Sequence, residues 1–438
     1  VLDRLFDLKA KGTSIRTEVL AGATTFVTMA YIIVVNPAIL SATGMPGAGV
    51  AVATCLAAAF ASILMGVVAN YPLALAPGMG LNAYFTYSVV LGMGVPWQTA
   101  LGCVFISGVA FLILTLAGVR KLIVEAIPRP LFAALSAGIG LFIALIGLKA
   151  AGIVVPSKAT GLALGDLKSP AAALSVMGLL IIAALEVRKI KGAVLIGIGA
   201  TAAAAFALGL AHFGAGNYDL AAMTGTAFKL DIPAALNLGG KHGLGVLEII
   251  FVFLFIDLFD NVGTLVAVTK RAGLQAADGS IPRLNRILVA DSVATIAGSL
   301  AGTSTVVSYI ESAAGVSAGG RTGLTAVVTG LLFLAALALA PLVQGLPEFA
   351  TAPALIMIGA MMITPLAEVQ WKDPTIALPA FLTFAVIPLT YSIANGLAFG
   401  VTSFAVLKLI SGKLGKRDWM LGLLAAAFVA RFIYLAAG

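Results

Sequence analysis

The chain has 438 residues, 61% of them hydrophobic and only 10% charged, with a mean hydropathy of +1.11. This composition excludes a soluble globular protein and places the chain among polytopic membrane proteins. The net charge of +8 does not signal nucleic acid. The basic residues cluster at 4–16, 120–129, 188–191, 270–286 and 408–417, on alternate sides of the expected spans, as the positive-inside rule requires.

Residues 1–18 are charged and amphipathic, without the basic start and apolar core of a cleavable signal. They read as a short segment lying on the membrane surface. Spans are expected near 19–40, 48–69, 72–92, 98–118, 130–149, 171–187 and 191–211, a first repeat over 19–211. Residues 212–245, Gly-rich and carrying both charge signs, read as an extracellular or periplasmic loop. The series resumes near 246–268, 285–301, 304–318, 322–343, 352–365, 376–391 and 394–411, a second repeat over 246–411. Residues 412–438 remain as a cytoplasmic or interfacial segment, whose apolar run 419–437, interrupted by Arg431, reads equally as an extra span or an interfacial helix. An odd seven spans per half inverts the second half relative to the first and leaves both termini cytoplasmic. Cys55 and Cys103 fall in apolar spans, too few for a metal or disulfide framework. His212 and His242 fall in the loop, which leaves no histidine relay within the spans.

The third span of each half is abnormal. In the first, Pro77, Gly78 and Gly80 make a continuous helix unfavourable. In the second, the tenth overall, Gly302–Ser308 is a run of hydroxyl and β-branched residues ahead of Glu311. Broken spans at matching places of two inverted halves point to a binding site at the membrane midplane. Irregular backbone is tolerated at that depth only beside a cavity or inside protein. Half-helices starting near Gly80 or Ser308 would turn backbone N–H groups toward the occupant.

The eighth span carries the strongest anomaly, Asp257 and Asp260 within Leu247–Val268. An ionisable group in hydrocarbon costs roughly 2.5–3.5 kcal/mol on insertion scales. Asp257, Asp260, Asn261 and Thr264 lie at spacings that give one polar stripe on a helix. Like charges one turn apart should share a proton at neutral pH, which supplies a route for coupling to a proton gradient. Asp260→Asn is then expected to leave some binding and to abolish uphill uptake. Asn82, Glu311 and the aspartates offer donors and acceptors suited to a planar heterocycle with alternating N–H and carbonyl edges. Met79, Gly80, Ser308 and Ser312 flank the breaks and complete the expected substrate contacts; Asn261, Thr264, Phe259 and Thr25 are secondary candidates. Asp291 reads as structural, and Glu18, Glu125 and Glu186 as interfacial charges at span ends. Phe255, Phe259 and Tyr309 fit packing better than substrate stacking, and Gly138, Gly140 and Gly147 permit close helix approach.

The runs Gly12–Pro37, Ala76–Phe85 and Asp257–Leu265 resemble the AzgA-like purine permease branch of the nucleobase:cation symporter-2 (xanthine/uracil permease) family, over roughly residues 2–413. The resemblance implies an all-α fold of 14 transmembrane spans in two inverted repeats, with a core and a gate domain, whose broken third and tenth spans contribute short strands. It implies substrate contacts at Asn82, one aspartate of the Asp257/Asp260 pair and Glu311, with the other aspartate coupling H+ in place of any cofactor. It also implies a purine base as substrate (adenine, guanine or hypoxanthine), the lipid bilayer of the cell membrane as surroundings, and a homodimer. Uracil and xanthine branches carry Glu, and in some members a nearby His, where this chain has Asp260 and Thr264. That departure argues against uracil, and an acidic site disfavours an inorganic anion on the same fold. An intramembrane aspartyl protease would need a Gly-x-Gly-Asp motif, which is absent, and a channel would not need two broken spans.

Overall fold

The computed structural model describes residues 2–118, 129–211, 220–237, 243–276, 280–338, 346–412 and 419–437. The described chain is helical apart from two short antiparallel ribbons. In order, the elements are α1 (Leu2–Phe6), α2 (Ile15–Met29), α3 (Ile32–Ser41), α4 (Gly47–Val68), β1 (Leu75–Pro77), α5 (Met79–Ala83), a wide-turned stretch Tyr84–Val90 running into α6 (Leu91–Met93), α7 (Trp97–Leu116) and α8 (Arg129–Ala150). There follow β2 (Val154–Ser157), β3 (Gly161–Leu164), α9 (Pro170–Val187), α10 (Ala193–Ala207), α11 (Ile232–Leu236), α12 (Gly243–Ala272) and α13 (Leu284–Ala301). The chain closes with β4 (Val306–Ser308), α14 (Ser312–Ser317), α15 (Gly323–Ala336), α16 (Glu348–Met362), α17 (Pro374–Thr390), α18 (Ile393–Ile410) and α19 (Trp419–Ala437).

Among the described residues, nine helices are long and apolar enough to cross a membrane, and shorter apolar helices cover 193–207, 323–336, 374–390 and 421–430. The protein is therefore a multi-pass membrane protein. Helices that are apolar all round keep every backbone bond internal, which hydrocarbon demands. Polar caps mark their ends: Ser14, Ser169, Thr322, Asp373 and Ser392 each accept a bond from a first-turn N–H, satisfying donors that a helix start leaves open. The stretches expected as spans all contain regular structure, and the third and tenth begin as strands rather than helices. The apolar run left undecided at the end of the chain is helical, α19.

The contacts divide the chain into two units, Val1–Leu116 with Gly147–Ala354, and Ala117–Ile146 with Leu355–Gly438. In the first, α4 and α15 cross at facing glycines. A Cβ on Gly323 would stand 1.9 Å from the Gly66 carbonyl oxygen, and one on Gly66 would stand 2.4 Å from that of Gly323. Small residues allow such backbone approach, where van der Waals contact holds membrane helices together. The second unit uses the same device. A Cβ on Gly140 would meet the Gly359 carbonyl oxygen at 2.6 Å, and Gly138 faces Ile387 and the backbone of Phe384, as expected for close approach at these two glycines.

Two expectations for the first unit need correction. The amphipathic start of the chain does not simply rest on lipid: Phe6 and Leu8 are buried against Leu324, Val327 and Val328. Lys11 Nζ donates to the carbonyls of Asn70 and Arg321 at 3.3 and 3.5 Å, and burial holds its ammonium group below the usual lysine range. Glu18 is not an interfacial charge. It is fully buried and accepts bonds from Thr13 Oγ1, Arg321 N, Thr322 N, Thr322 Oγ1 and Thr325 Oγ1. Its carboxylate thus closes the N-terminal end of α15, where the helix dipole favours negative charge. Glu125, His212 and His242 lie outside the described residues.

Candidate functional site

The two broken spans meet. β1 and β4 pair antiparallel with Leu75 opposite Ser308, Ala76 opposite Val307 and Pro77 opposite Val306. The ladder is extended by Tyr309 N–H donating to Ala74 C=O and Gly78 N–H to Thr305 C=O, each 2.9 Å. Pro77 and Gly78 stop helix formation before α5, and the β-branched run Thr303–Val307 favours extended backbone. A two-stranded ribbon still leaves outward N–H and C=O groups, which inside a membrane have no water to meet them. Neighbouring helices supply side chains instead. Ser62 Oγ accepts from Leu75 N–H at 3.0 Å and donates to its carbonyl at 3.1 Å. Thr295 donates to Val306 C=O, Ser312 Oγ accepts from Ala74 N–H, and Asn261 Oδ1 accepts from Ser308 N–H.

Asn261 is the hub. Its Nδ2 donates to Asp257 Oδ1 at 2.7 Å and to Asp291 Oδ2 at 2.5 Å, while its Oδ1 holds the ribbon. All three side chains are buried, Asp257 and Asp291 at 1% exposure. Asp257 meets Asp291 of α13 through Asn261, which brings Asp291 into the acidic centre. Asp260, one turn along α12, is exposed on the side of the helix that also carries exposed Gly263 and Val266. A Cβ on Gly263 would meet nothing within 4 Å, so space opens there.

Asp260, Glu311 and Tyr309 are electrostatic neighbours, and Glu311 is half-buried just ahead of α14. Tyr31, in the two-residue interruption between α2 and α3, donates its hydroxyl to Glu311 Oε1 at 2.5 Å. Tyr309 donates to the Pro77 carbonyl at 2.5 Å, which commits its hydroxyl to the ribbon. Accessible carboxylates against buried phenols form a wall that can accept hydrogen bonds from a polar, planar ligand.

The other expected residues, Phe259 aside, are buried around the ribbon and the helices that hold it. Asn82 is fully buried; its Oδ1 accepts from Ser304 Oγ, and its Nδ2 has no hydrogen-bond partner. Met79 and Gly80 are buried at the start of α5. Helix α5 runs on through Tyr84–Val90 into α6 as one helical stretch, Met79–Met93, whereas α14 has only six residues. Ser308 is buried in the ribbon with its Oγ lacking a hydrogen-bond partner, Ser312 is buried with its Oγ bonded to Ala74 N–H, and Thr264 is buried on α12. Thr25 is buried where α14 crosses α2: a Cβ on Gly315 would fall 2.1 Å from Thr25 Oγ1. Phe255 lies beside Phe251 with ring centroids 5.6 Å apart, in keeping with packing, and the Phe259 side chain lies outside the described residues. Two surface hollows, one lined by residues 369–373 and the other by Met223, Thr224 and residues 227–229, contain none of these residues. Sequence reasoning missed Tyr31 as a site residue and undervalued Asp291. A charge inside an apolar stretch was the available signal for Asp291, while Tyr31 carried none beyond its place in the Gly12–Pro37 run.

The chain matches the Permease family over residues 16–399. It is similar to the adenine permease AdeP of Escherichia coli, 43% identical with 99% of this chain and 96% of that one aligned. It is also similar to the guanine/hypoxanthine permease PbuO of Bacillus subtilis, 43% identical over 93% of this chain and 95% of the other. Among solved structures, the transmembrane domain of the cyanobacterial bicarbonate transporter BicA shares the fold, with a TM-score of 0.64 at 17% identity, covering 88% of this chain and 97% of that one. A family match spanning most of the chain, with relatives this close over nearly their whole length, means that the chain is a transport protein rather than an enzyme and belongs to the nucleobase:cation symporter-2 permeases, in their AzgA-like branch.

Proposed function

We propose that this permease is a proton-coupled symporter importing purine nucleobases by alternating access. The observation that carries the reading is the separation of two acidic environments on one helix. Asp260 is accessible beside Glu311, whereas Asp257 is buried and bridged to Asp291 by Asn261. Asp260 and Glu311 accept from the N–H edges of the base. Two buried carboxylates facing one neutral amide cannot both ionise cheaply in hydrocarbon, so the Asp257–Asp291 pair holds the coupling proton. Because Asn261 also holds the ribbon at Ser308, the state of the pair is felt where the base binds. Adenine and guanine/hypoxanthine, named for AdeP and PbuO, are the substrates to try first. The paired broken spans support two inverted seven-span halves, the basic clusters support cytoplasmic termini, and the family resemblance supports a homodimer.

The test is uptake of labelled hypoxanthine into proteoliposomes with an imposed proton gradient, competed by adenine and guanine. Accumulation above equilibrium only with the gradient supports the proposal; equilibration alone would reduce the protein to a uniporter or channel. Asp257→Asn should keep binding and exchange but lose accumulation. Retained gradient-driven accumulation in that variant would remove Asp257 from the proton path.

A further inference from the structure

The first span is broken at one place, and the break carries a phenol into the site. Helix α2 ends at Met29 and α3 begins at Ile32. Both Val34 N–H and Val35 N–H bond to Tyr31 C=O, so the turn tightens around that residue. Tyr31 is 3% exposed, and its hydroxyl lies 2.5 Å from Glu311 Oε1. Glu311 is only half-buried, so part of its side chain stays open beyond the bond that the buried phenol makes to Oε1. Within an apolar span, a hydroxyl in this position fixes which oxygen and which rotamer Glu311 presents. The second tyrosine nearby cannot replace it, since Tyr309 Oη is committed to Pro77 C=O.

We infer that Tyr31 is a positioning residue for substrate recognition, acting through Glu311 by holding its carboxylate toward the bound base. The inference rests on the proposed purine site but can fail separately from it. The experiment compares wild type, Tyr31→Phe, Glu311→Gln and the double variant, purified in detergent and titrated with labelled hypoxanthine to millimolar concentration, with uptake kinetics for the first two in proteoliposomes. Phe fills the same buried volume and removes only the hydroxyl. Loss of a bond to an ionised group corresponds to about tenfold in affinity. KM in Tyr31→Phe should therefore rise about tenfold while Vmax per folded transporter stays within twofold, the pattern of lost binding. In the Glu311→Gln background, adding Tyr31→Phe should change affinity less than twofold, because the two residues act as one unit.

KM within twofold of wild type, a loss of Vmax at constant KM, or equal losses in both backgrounds would each overturn the inference and reduce Tyr31 to packing. A wild-type protein that binds no purine would instead sink the functional reading itself.

Discussion

Asp257 and Asp260 differ by one turn of α12 and live in different media. Asp257 is enclosed, its carboxylate bonded to an amide that also serves Asp291 and the Ser308 backbone. Asp260 is exposed beside Glu311 and Tyr309. A buried, bridged carboxylate is part of the fold, and removing its partner exposes the full cost of desolvation. An accessible one has water as an alternative partner, so its loss is felt by the ligand far more than by the fold. The same residue type thus supports two roles, set by which way the helix turns it.

The largest expected effect comes from breaking the hub. Asn261→Leu removes the donor shared by Asp257 and Asp291 and the acceptor for Ser308 N–H. Stranding buried polar and charged partners costs about 3–5 kcal/mol, so the variant should show a large drop in melting temperature in detergent and low yield. A melting curve matching wild type would show that the two aspartates do not depend on this amide. Asp260→Asn should do the opposite. Stability should change by less than about 0.5 kcal/mol, while purine binding weakens by about 1.5–3 kcal/mol, the range for a hydrogen bond to a charged group. Calorimetric titration beside the melting curve separates the two effects; a destabilised Asp260→Asn with normal affinity would invert the comparison. On purely sequence grounds the same variant was expected to keep some binding and lose coupling, so the measurement also decides between those roles.

Helical geometry explains why the stripe was legible and its division was not. Three residues advance about 300° around a helix and four about 400°. Asp260 therefore sits about 60° to one side of Asp257 and Asn261 about 40° to the other. The period locates a polar face but does not resolve a boundary running between those two directions. The breaks near Gly78 and Ser308 could be read because Pro, Gly and clustered hydroxyls have local causes. Their pairing could be expected only through the family resemblance, since a contact more than 200 residues apart leaves no local trace. Asp291 and Tyr31 were obscure for the same reason: each gains its meaning from a side chain on a distant span. Asn82 is a partial case, with its Nδ2 left without a hydrogen-bond partner. Its type and place suit a ligand contact, yet the fold spends its oxygen on Ser304.

A smaller effect belongs to the ribbon that Asn261 also serves. Ser62 satisfies both backbone groups of Leu75 through one hydroxyl. Ser62→Ala leaves a buried N–H and a buried C=O without that partner, a loss of about 1–2 kcal/mol. The expected result is a modest fall in melting temperature with weaker binding, because the strand end leads directly into Gly78 and α5. Normal stability and affinity would mean that the ribbon edge finds another partner at no cost.

The smallest effect calibrates the scale on which Asp260 is judged. Asp7 is an exposed carboxylate on the same chain, 4.0 Å from Arg283 with both side chains nearly half accessible. Pairs of this kind contribute about 0–1 kcal/mol. Asp7 has a left-handed backbone, φ 56°, which Asn tolerates at least as well as Asp, so Asp7→Asn changes charge without added strain. Melting temperature and purine affinity should both stay at wild-type values, within about 0.5 kcal/mol. Set beside Asp260→Asn, the pair asks whether accessibility alone makes a carboxylate dispensable to the fold, or whether a ligand must also be waiting on its open side. If Asp7→Asn weakened purine binding as much as Asp260→Asn, the effect at Asp260 would report general electrostatics rather than contact with the base. A difference between them ties that effect to its place beside Glu311.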